Sequence, residues 1–233
     1  MNSEEQKRQV GKVAAARVKD GMRIGLGSGT TARAFVRALG ERVSSGLEIT
    51  AVASSTQTAV LAAEVGIEIV KHDSPIDLAV DGADAIARDS LAAIKGLGGA
   101  LVRERLVAES AAEFLIIADE SKLFHRLDDS QPELPVPVEI LPFGWELTRA
   151  RLAALGTPRL RSGDSQAPFV TDNGNYILDM FECDYSSLVN LAGQIKAMTG
   201  VVDHGLFLNL ASAAIIGTPD GVIELGRAPG AGD

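Results

Sequence analysis

Short apolar runs alternate with segments of helical periodicity along residues 4–118, and this alternation allows few folds. The pattern predicts helix 4–18, strand 22–26, helix 31–39, strand 47–53, helix 56–65, strands 67–70 and 76–80, helix 100–112 and strand 114–118. Strands separated by helices of this length favour right-handed crossovers. We therefore expect an α/β fold with a mostly parallel, Rossmann-like sheet that is covered on both faces.

A different order of elements follows the polar, proline-containing segment 128–132, which is typical of a linker. It reads as strand 136–140, helix 145–155, a hairpin of strands 169–171 and 176–178, helix 186–198 and a strand from Val201. This β-α-β-β-α-β order predicts a second, smaller ferredoxin-like α+β domain. The Asn173-Gly174 pair is a strong hairpin signal, so we interpret the polar residues around it as a turn and not as a site.

The apolar segment from Leu206 onward should return to the first sheet. The expected division is a catalytic α/β domain of residues 1–130 with 206–233, and a small α+β domain of residues 131–205.

Charge and cysteine content exclude several classes of partner. The 233-residue chain has a net charge of -9, which disfavours nucleic acid and anionic membranes because both require a basic surface. Its single cysteine, Cys183, allows neither an intrachain disulfide nor a cysteine metal cluster. The N-terminal segment is too charged for a secretion signal, and the longest apolar stretch is too short to span a bilayer. We expect a cytoplasmic protein.

Four predicted strands are followed by small or polar residues. The loops after them are 27–31, 54–56, 81–84 and 119–122. In an open parallel sheet, ligands bind beyond the carboxyl ends of the strands, so these loops should lie at one edge. One such loop alone means little, but four together indicate a single binding site.

The first of these loops, 27–31, is suited to a phosphate. Its glycines allow close backbone approach, its hydroxyls can donate, and a helix begins there. The glycine spacing does not fit a dinucleotide fingerprint, and no lysine follows as in a P-loop. A tight turn with a Ser or Thr cap remains an alternative.

Asp81 and Asp84 follow a buried predicted strand, where carboxylates can hold sugar hydroxyls or relay protons. An Asx turn with a helix cap is the commoner use of such residues. Two close carboxylates also suggest a divalent cation, but the three histidines fit no ligand spacing and Lys95 follows nearby. We favour acid–base chemistry without a metal.

The segment 94–100 combines Lys95 with three glycines, whose N–H groups could converge on an oxyanion. The next helix carries Glu104 in its first turns, close to that segment. Arg103 and Arg105 should point elsewhere on a helix. The alternative is that Glu104 is an ordinary solvated glutamate.

Seven blocks of the sequence, in order and in register, resemble the type A ribose-5-phosphate isomerases. They are Gly27-Ser28-Gly29-Thr30-Thr31-Ala32, Asp81-Gly82-Ala83-Asp84, Lys95-Gly96-x-Gly-Gly-Ala-Leu-x-Arg-Glu104, Asp119-Glu120-Ser121-Lys122, and the segments 134–139, 171–175 and 217–222. The sequence departs from the usual pattern at Ala85, which is commonly Glu, at Leu97, commonly Gly, and at Arg105, commonly Lys.

The resemblance implies an isomerase that interconverts D-ribose 5-phosphate and D-ribulose 5-phosphate in the pentose phosphate pathway. It implies that Glu104 is the proton acceptor, that no metal or other cofactor is used, and that the protein is a homodimer or homotetramer. The substrate contacts that it implies are Lys7, Ser28, Gly29, Thr30, Thr31, Asp81, Gly82, Ala83, Asp84, Lys95, Gly96, Leu97, Gly98 and Lys122.

Residues and resemblance agree on a mechanism. Loop 27–31, with Lys122 and Lys7, holds the phosphate; Asp81 assists ring opening; and Glu104 moves a proton from C2 to C1 while Lys95 and the glycine backbone stabilise an enediolate. An aminosugar-phosphate deaminase or a phosphosugar lactonase would share the phosphate loop but not the segment from Lys95 to Glu104. A sugar-phosphate sensor without catalytic activity is the third alternative.

Overall fold

The computed structural model describes residues 1–130, 134–163 and 167–226, without the side chains of 129 and 130. Residues 131 and 132 of the expected linker and the tail 227–233 lie outside the described residues. The helices are α1 (Ser3–Ala15), α2 (Gly29–Ser44), α3 (Thr56–Glu64), α4 (Leu101–Glu109), α5 (Trp145–Leu152) and α6 (Leu188–Lys196), with short 3-10 helices at Glu120–Lys122 and Leu127–Ser130.

The strands form three sheets. They are β1 (Arg23–Leu26), β2 (Thr50–Ala53), β3 (Glu68–Ile69), β4 (Ile76–Gly82), β5 (Ala85–Ala87), β6 (Ala93–Ile94), β7 (Ala111–Asp119), β8 (Leu123–Phe124), β9 (Val136–Ile140), β10 (Thr157–Leu160), β11 (Tyr176–Phe181), β12 (Val201–His204), β13 (Leu206–Phe207), β14 (Ala213–Thr218) and β15 (Gly221–Gly226).

The largest sheet has seven strands in the order β15-β14-β7-β4-β1-β2-β3. Six of them are parallel and repeat the 3-2-1-4-5-6 order of the doubly wound nucleotide-binding folds, while β15 pairs antiparallel with β14 at the edge. The mostly parallel, Rossmann-like sheet is therefore confirmed. The strand order reverses between β1 and β4, which is where a ligand is expected in such a sheet.

Both faces of this sheet are covered by apolar side chains. On one face, α1 and α2 bury Val10, Phe35 and Leu39 against the strands. On the other face, Val107 of α4 belongs to a second buried cluster with Ile116 of β7. Helices α1 and α2 thus bury the apolar stripe that their 3.6-residue periodicity creates.

The second sheet has the order β10-β11-β9-β12 and is antiparallel. Read along the chain, its strands and α5 and α6 follow the predicted β-α-β-β-α-β order, and the spatial order 4-1-3-2 is ferredoxin-like. The smaller α+β unit is confirmed as a fold. The division of the chain at residues 130 and 205 stays a prediction.

The predicted hairpin is wrong in its first strand. A turn does form, since Thr171 N donates to Asn175 O at 2.9 Å, but residues 169–171 make no strand. The edge of β11 is already occupied by β10 and by Arg161, whose N–H donates to Ile177 O. The residues before the turn therefore leave the sheet and pack elsewhere.

Two other features differ from the expectation. The helix predicted to reach residue 112 ends at Glu109, because the chain enters β7 at Ala111. A small sheet in the order β13-β6-β5-β8 was missed, since strands of two or three residues are too short to show a period.

The chain does return to the large sheet through β14 and β15, as expected. Among the described residues, no helix is both long enough and apolar enough to cross a membrane.

Candidate active site

Asp81 lies near the end of β4, where the strand order of the large sheet reverses. Its Oδ1 accepts hydrogen bonds from Ser28 N at 2.9 Å and from Gly82 N at 2.7 Å. A Cβ on Gly27 would lie 2.0 Å from the same oxygen, so only glycine allows this close approach. The loops that follow β1 and β4 are thereby held together.

A buried group of three charged side chains forms the centre of the site. Lys95 Nζ lies 2.9 Å from Asp81 Oδ2 and 3.5 Å from Glu104 Oε1, and it donates to Gly82 O at 2.6 Å. The exposed fractions of Asp81, Lys95 and Glu104 are only 3%, 2% and 5%. Two carboxylates around one ammonium leave an excess of negative charge in a dry environment, and this excess must shift their protonation.

The pKa values follow from that arrangement. Burial raises the pKa of Glu104 to about 8. The positive charge of Lys95 lowers this pKa, but the negative charges of Asp81 and Asp84 raise it again. Burial also raises the pKa of Asp81, although Lys95 and the two N–H donors counteract it. Burial alone would lower the pKa of Lys95, but the neighbouring carboxylates outweigh it, and the ammonium form is favoured.

Glu104 reaches this group because α4 begins at Leu101, directly after the glycine segment. It is buried, so the alternative of a solvated surface glutamate is wrong. Its Oε2 has no hydrogen-bond partner within the described part of the chain. As expected, its neighbours point elsewhere: Arg103 Nε donates to Asn173 Oδ1, and Arg105 pairs with Asp203.

The glycine segment curves around the buried charges. Gly96 and Gly99 have φ values of +99° and +84°, in the left-handed region that favours glycine. Leu97, where the resembling family commonly has Gly, is not in that region, so its side chain is accommodated without backbone strain. The Leu97 N–H donates to Asp84 Oδ2 at 2.9 Å, which ties the segment to the loop after β4.

The loop after β1 leads directly into α2. Ser28 is the N-cap, but its side chain makes no capping bond, so a turn capped by this hydroxyl does not account for the loop. The Ser28 hydroxyl instead bonds the Ser54 hydroxyl at 2.8 Å. The first N–H groups of α2 are left to attract an anion, as the positive end of a helix dipole does.

These loops enclose a cavity of about 140 Å³. It is lined by Lys7, Ser28, Gly29, Thr30, Thr31, Gly82, Ala83, Asp84, Lys95, Gly96, Gly98, Glu104 and Lys122. Thus the structure brings together nearly all the residues singled out in the sequence. Asp81 and Leu97 are the exceptions, since neither lines the cavity. Lys7, at the edge, has its Nζ 2.8 Å from Glu4 Oε1.

A larger cleft of about 790 Å³ adjoins this cavity and shares Ser28, Gly29, Thr30 and Gly98 with it. Its far wall includes Phe169 and Asp172, which sequence reasoning treated only as part of a hairpin. Asp172 Oδ2 accepts from Thr56 N at 2.7 Å, so the turn before β11 is fixed against α3. Only the contacts between distant parts of the chain reveal this wall.

Two further polar residues near the site had no individual role in the sequence-based prediction. Ser54, in the predicted site loop 54–56, is fully buried beside Ser28, and its place directly after β2 is the signal that brought this loop to the site. Arg161, which follows β10, donates to backbone carbonyls of the glycine segment, and no local pattern announces this contact.

The fold and the site are typical of α/β enzymes that carry out acid–base chemistry on a small anionic ligand. This is an α/β protein whose switch-point cavity combines a helix N-terminus suited to a small anion with a buried carboxylate of raised pKa and a neighbouring ammonium. Such a set can transfer protons and stabilise an oxyanion. Across the described ranges, no group of three or more His, Cys, Asp or Glu side chains is arranged to hold a metal ion.

Comparison with known proteins agrees with this class and narrows it. The sequence profile of ribose 5-phosphate isomerase A (phosphoriboisomerase A) matches residues 50–221. The chain is 47% identical to ribose-5-phosphate isomerase A of Thermomicrobium roseum over 97% of this chain and 96% of that protein. It is 46% identical to the Bacillus mycoides protein of the same name, over 94% and 98% of the two chains.

Solved structures give the same answer. A ribose 5-phosphate isomerase A from Methanocaldococcus jannaschii superposes with a TM-score of 0.91 at 36% identity, covering 96% of this chain and 99% of that one. A D-ribose-5-phosphate isomerase in complex with phospho-erythronic acid superposes with a TM-score of 0.92 at 36% identity, over 97% and 100% of the two chains. The chain belongs to the ribose 5-phosphate isomerase A family.

Proposed function

We propose that this protein interconverts D-ribose 5-phosphate and D-ribulose 5-phosphate, with Glu104 as the group that moves the proton. The observation that carries the proposal is the second carboxylate oxygen of Glu104, which is buried without a partner in the described chain, while the residue lines the cavity beside Lys95. A carboxylate oxygen of this kind is free to accept a proton from a carbon atom of a bound substrate. Membership in the isomerase family supports the choice of substrate.

The phosphate is held at the N-terminus of α2. Ser28, Gly29, Thr30 and Thr31 line the cavity there, and the helix dipole favours an anion at this end. Lys122 and Lys7 line the same cavity and supply positive charge. These contacts are made equally before and during the reaction, so they serve binding and orientation.

The reaction is a proton transfer between adjacent carbons of the open-chain sugar. Glu104 removes the proton from C2, which leaves an enediolate, and returns it to C1, while the hydroxyl proton passes from O2 to O1. One carboxylate that reaches both carbons is sufficient. Its pKa is raised to about 8, which is close to neutral pH, so the carboxyl group can both accept and return a proton under these conditions.

The two aspartates have different places and therefore different proposed roles. Asp84 lines the cavity and can contact the sugar hydroxyls during ring opening. Asp81 lies behind the cavity lining, 2.9 Å from Lys95 Nζ, where it orients the ammonium and keeps it charged. Lys95 then stabilises the negative oxygen of the enediolate.

We propose that no metal takes part. The Lys95 ammonium lies between Asp81 and Glu104, in the place that a divalent cation bound to these two carboxylates would need. The purified protein should therefore convert ribose 5-phosphate at an undiminished rate in excess chelator. A rate that collapses with chelator and returns with a divalent cation would refute this part of the proposal.

Activity assays with phosphorylated aminosugars, phosphosugar lactones and other pentose phosphates, each with detection of its own product, separate the alternatives. Turnover of a lactone or release of ammonia from an aminosugar would favour another enzyme on this fold, and binding without turnover would favour a sensor. The family resemblance also leads us to propose a homodimer or homotetramer in the cytoplasm, for which light scattering and cell fractionation are the tests.

A further inference from the structure

Arg161, which follows β10, joins the antiparallel sheet to the glycine segment of the candidate site. Its Nη1 donates to Gly96 O at 3.0 Å and to Leu97 O at 2.8 Å. On its other side the guanidinium pairs with Asp179 of β11, through Nε at 2.9 Å and through Nη2. Both side chains of this ion pair are largely buried, with 13% and 16% exposed.

These contacts fix the orientation of two successive peptide groups. In a planar trans peptide, the C=O and the following N–H point in opposite directions. The first peptide is held at both ends, because Gly96 O accepts from Arg161 and Leu97 N donates to Asp84 Oδ2. Asp84 lies in the loop between β4 and β5, and Arg161 directly follows β10 of the antiparallel sheet, so this peptide is held between two distant parts of the chain.

The second peptide has only its carbonyl held. Leu97 O accepts from Arg161, so the N–H of Gly98 points away from the guanidinium. Gly98 is exposed and lines the cavity that also contains Lys95 and Glu104. Its N–H has no partner among the residues that the structure describes.

We propose that Arg161 is a positioning residue, which holds these two peptide planes so that the Gly98 N–H is a fixed donor to the enediolate oxygen. The inference rests on the proposed function. A donor that is already oriented needs no rearrangement when negative charge develops, and this is the basis of oxyanion stabilisation. The planar guanidinium can serve both carbonyls and the Asp179 carboxylate at once, which a lysine cannot.

A purely structural role makes a different prediction. If Arg161 served only to join the two sheets, its loss would lower stability or weaken the binding of every ligand alike. If it positions the Gly98 N–H, the loss should concentrate on species that carry negative charge at the position of the enediolate. Two ligands that differ only in negative charge at the position of the enediolate therefore distinguish the positioning role from the structural role.

The test compares wild type, Arg161→Met and Arg161→Lys, with Arg159→Met as the matched control. Arg159 lies two residues earlier on β10, and its side chain lies over the Phe181 ring, with no side-chain hydrogen bond or ion pair among the described residues. For Arg161→Met we expect kcat to fall about 10²-fold, the loss typical of a donor misplaced by about 1 Å. KM should change far less, because the phosphate contacts at α2 are untouched. Arg161→Lys should recover part of the loss, and Arg159→Met should resemble wild type.

The second measurement uses two inhibitors. Phospho-erythronic acid carries a planar carboxylate beside its phosphate chain, as the enediolate carries its charge, whereas erythritol 4-phosphate lacks that charge. In Arg161→Met the inhibition constant of the acid should rise at least tenfold more than that of the alcohol, the outcome expected if one hydrogen bond to a charged group is impaired. Circular dichroism melts of each variant establish that the protein is folded.

Equal weakening of both inhibitors, or an unchanged kcat in folded Arg161→Met, would overturn the positioning role. Should Arg161→Met fail to fold, Asp179→Asn supplies the same test, because it removes the partner that orients the guanidinium. If wild type itself does not isomerise ribose 5-phosphate, the proposed function has failed. If wild type turns over and only the variant prediction fails, the proposed function stands.

Discussion

Replacing Glu104 by Gln is the most direct test of the proposed mechanism. Gln keeps the shape of Glu and a polar atom near Lys95, but it cannot accept a proton from carbon. Loss of a general base costs about 10²–10⁴ in rate, which corresponds to about 2.7–5.4 kcal/mol of transition-state free energy. Since the proposed mechanism assigns both proton steps to this carboxylate, we expect the upper end of that range.

The loss should appear in kcat. The proposed phosphate site at α2 and the proposed hydroxyl contacts at Asp84 do not involve the Glu104 side chain, so KM should change little. The control is Glu109→Gln on the same helix, because Glu109 is half exposed and lies 3.8 Å from Arg105 at the helix surface. A coupled assay of both variants, with deuterium incorporation at C1 of the ribulose product in D₂O, measures the effect.

The pH profile gives an independent readout. With a pKa of about 8, only about a tenth of Glu104 is ionised at pH 7, and the ionised form is the base. The ratio of wild-type to Glu104→Gln activity should therefore rise from pH 6 through 8 and level off above about pH 9. Taking the ratio cancels the titration of the substrate phosphate.

The raised pKa of Glu104 also makes the stability of the folded protein depend on pH. The pKa of Glu104 is about 8 in the folded protein against 4.5 for an ordinary glutamate, so the folded state binds the proton more tightly between these values. The stabilisation from the protonated carboxyl is present below 4.5 and is lost as the pH rises through 8. The melting temperature of Glu104→Gln, relative to wild type, should increase from pH 5 to 9.

A Glu104→Gln protein that retains more than about a tenth of wild-type kcat would refute the reasoning, since this is well outside the range for a lost general base. Asp84, which lines the same cavity, would then be the leading candidate for the base.

Two further substitutions test the phosphate site and the approach of the loops. Thr31→Ala should raise KM more than it lowers kcat, because a lost hydrogen bond to phosphate costs about 1.5–3 kcal/mol in both ground and transition states; steady-state kinetics measure it, and an unchanged KM would place the phosphate elsewhere. Gly27→Ala should displace Asp81, since the added Cβ would lie 2.0 Å from its Oδ1. Both the melting temperature and kcat should fall, and a fully active, equally stable variant would contradict the close approach.

Local patterns were sufficient to predict the sheet and most of the cavity lining. Short apolar runs between helical segments have few arrangements that bury their apolar surfaces, and in a parallel sheet the loops after the strands must meet at one edge. The position of Glu104 also follows from local structure, because a helix that starts right after a glycine segment must hold its first turns close to that segment.

The hairpin shows where local patterns fail. The Asn173-Gly174 turn formed as predicted, but residues 169–171 did not pair with β11, because residues from Thr157 to Arg161 already occupy that edge. Which of two segments fills a strand edge is a competition between distant parts of the chain. A hairpin signal says nothing about that competition.

Local sequence patterns are enough to predict which residues gather at the edge of the parallel sheet, because strand direction and loop position are local properties. The protonation and the orientation of these side chains depend instead on packing between distant segments. Lys95 and Glu104 became buried partners because α4 packs over the sheet, and burial, which no local pattern encodes, raised the pKa of the glutamate. Arg161 is 65 residues away from Gly96 along the chain, and their contact exists only because the antiparallel sheet packs against the glycine segment.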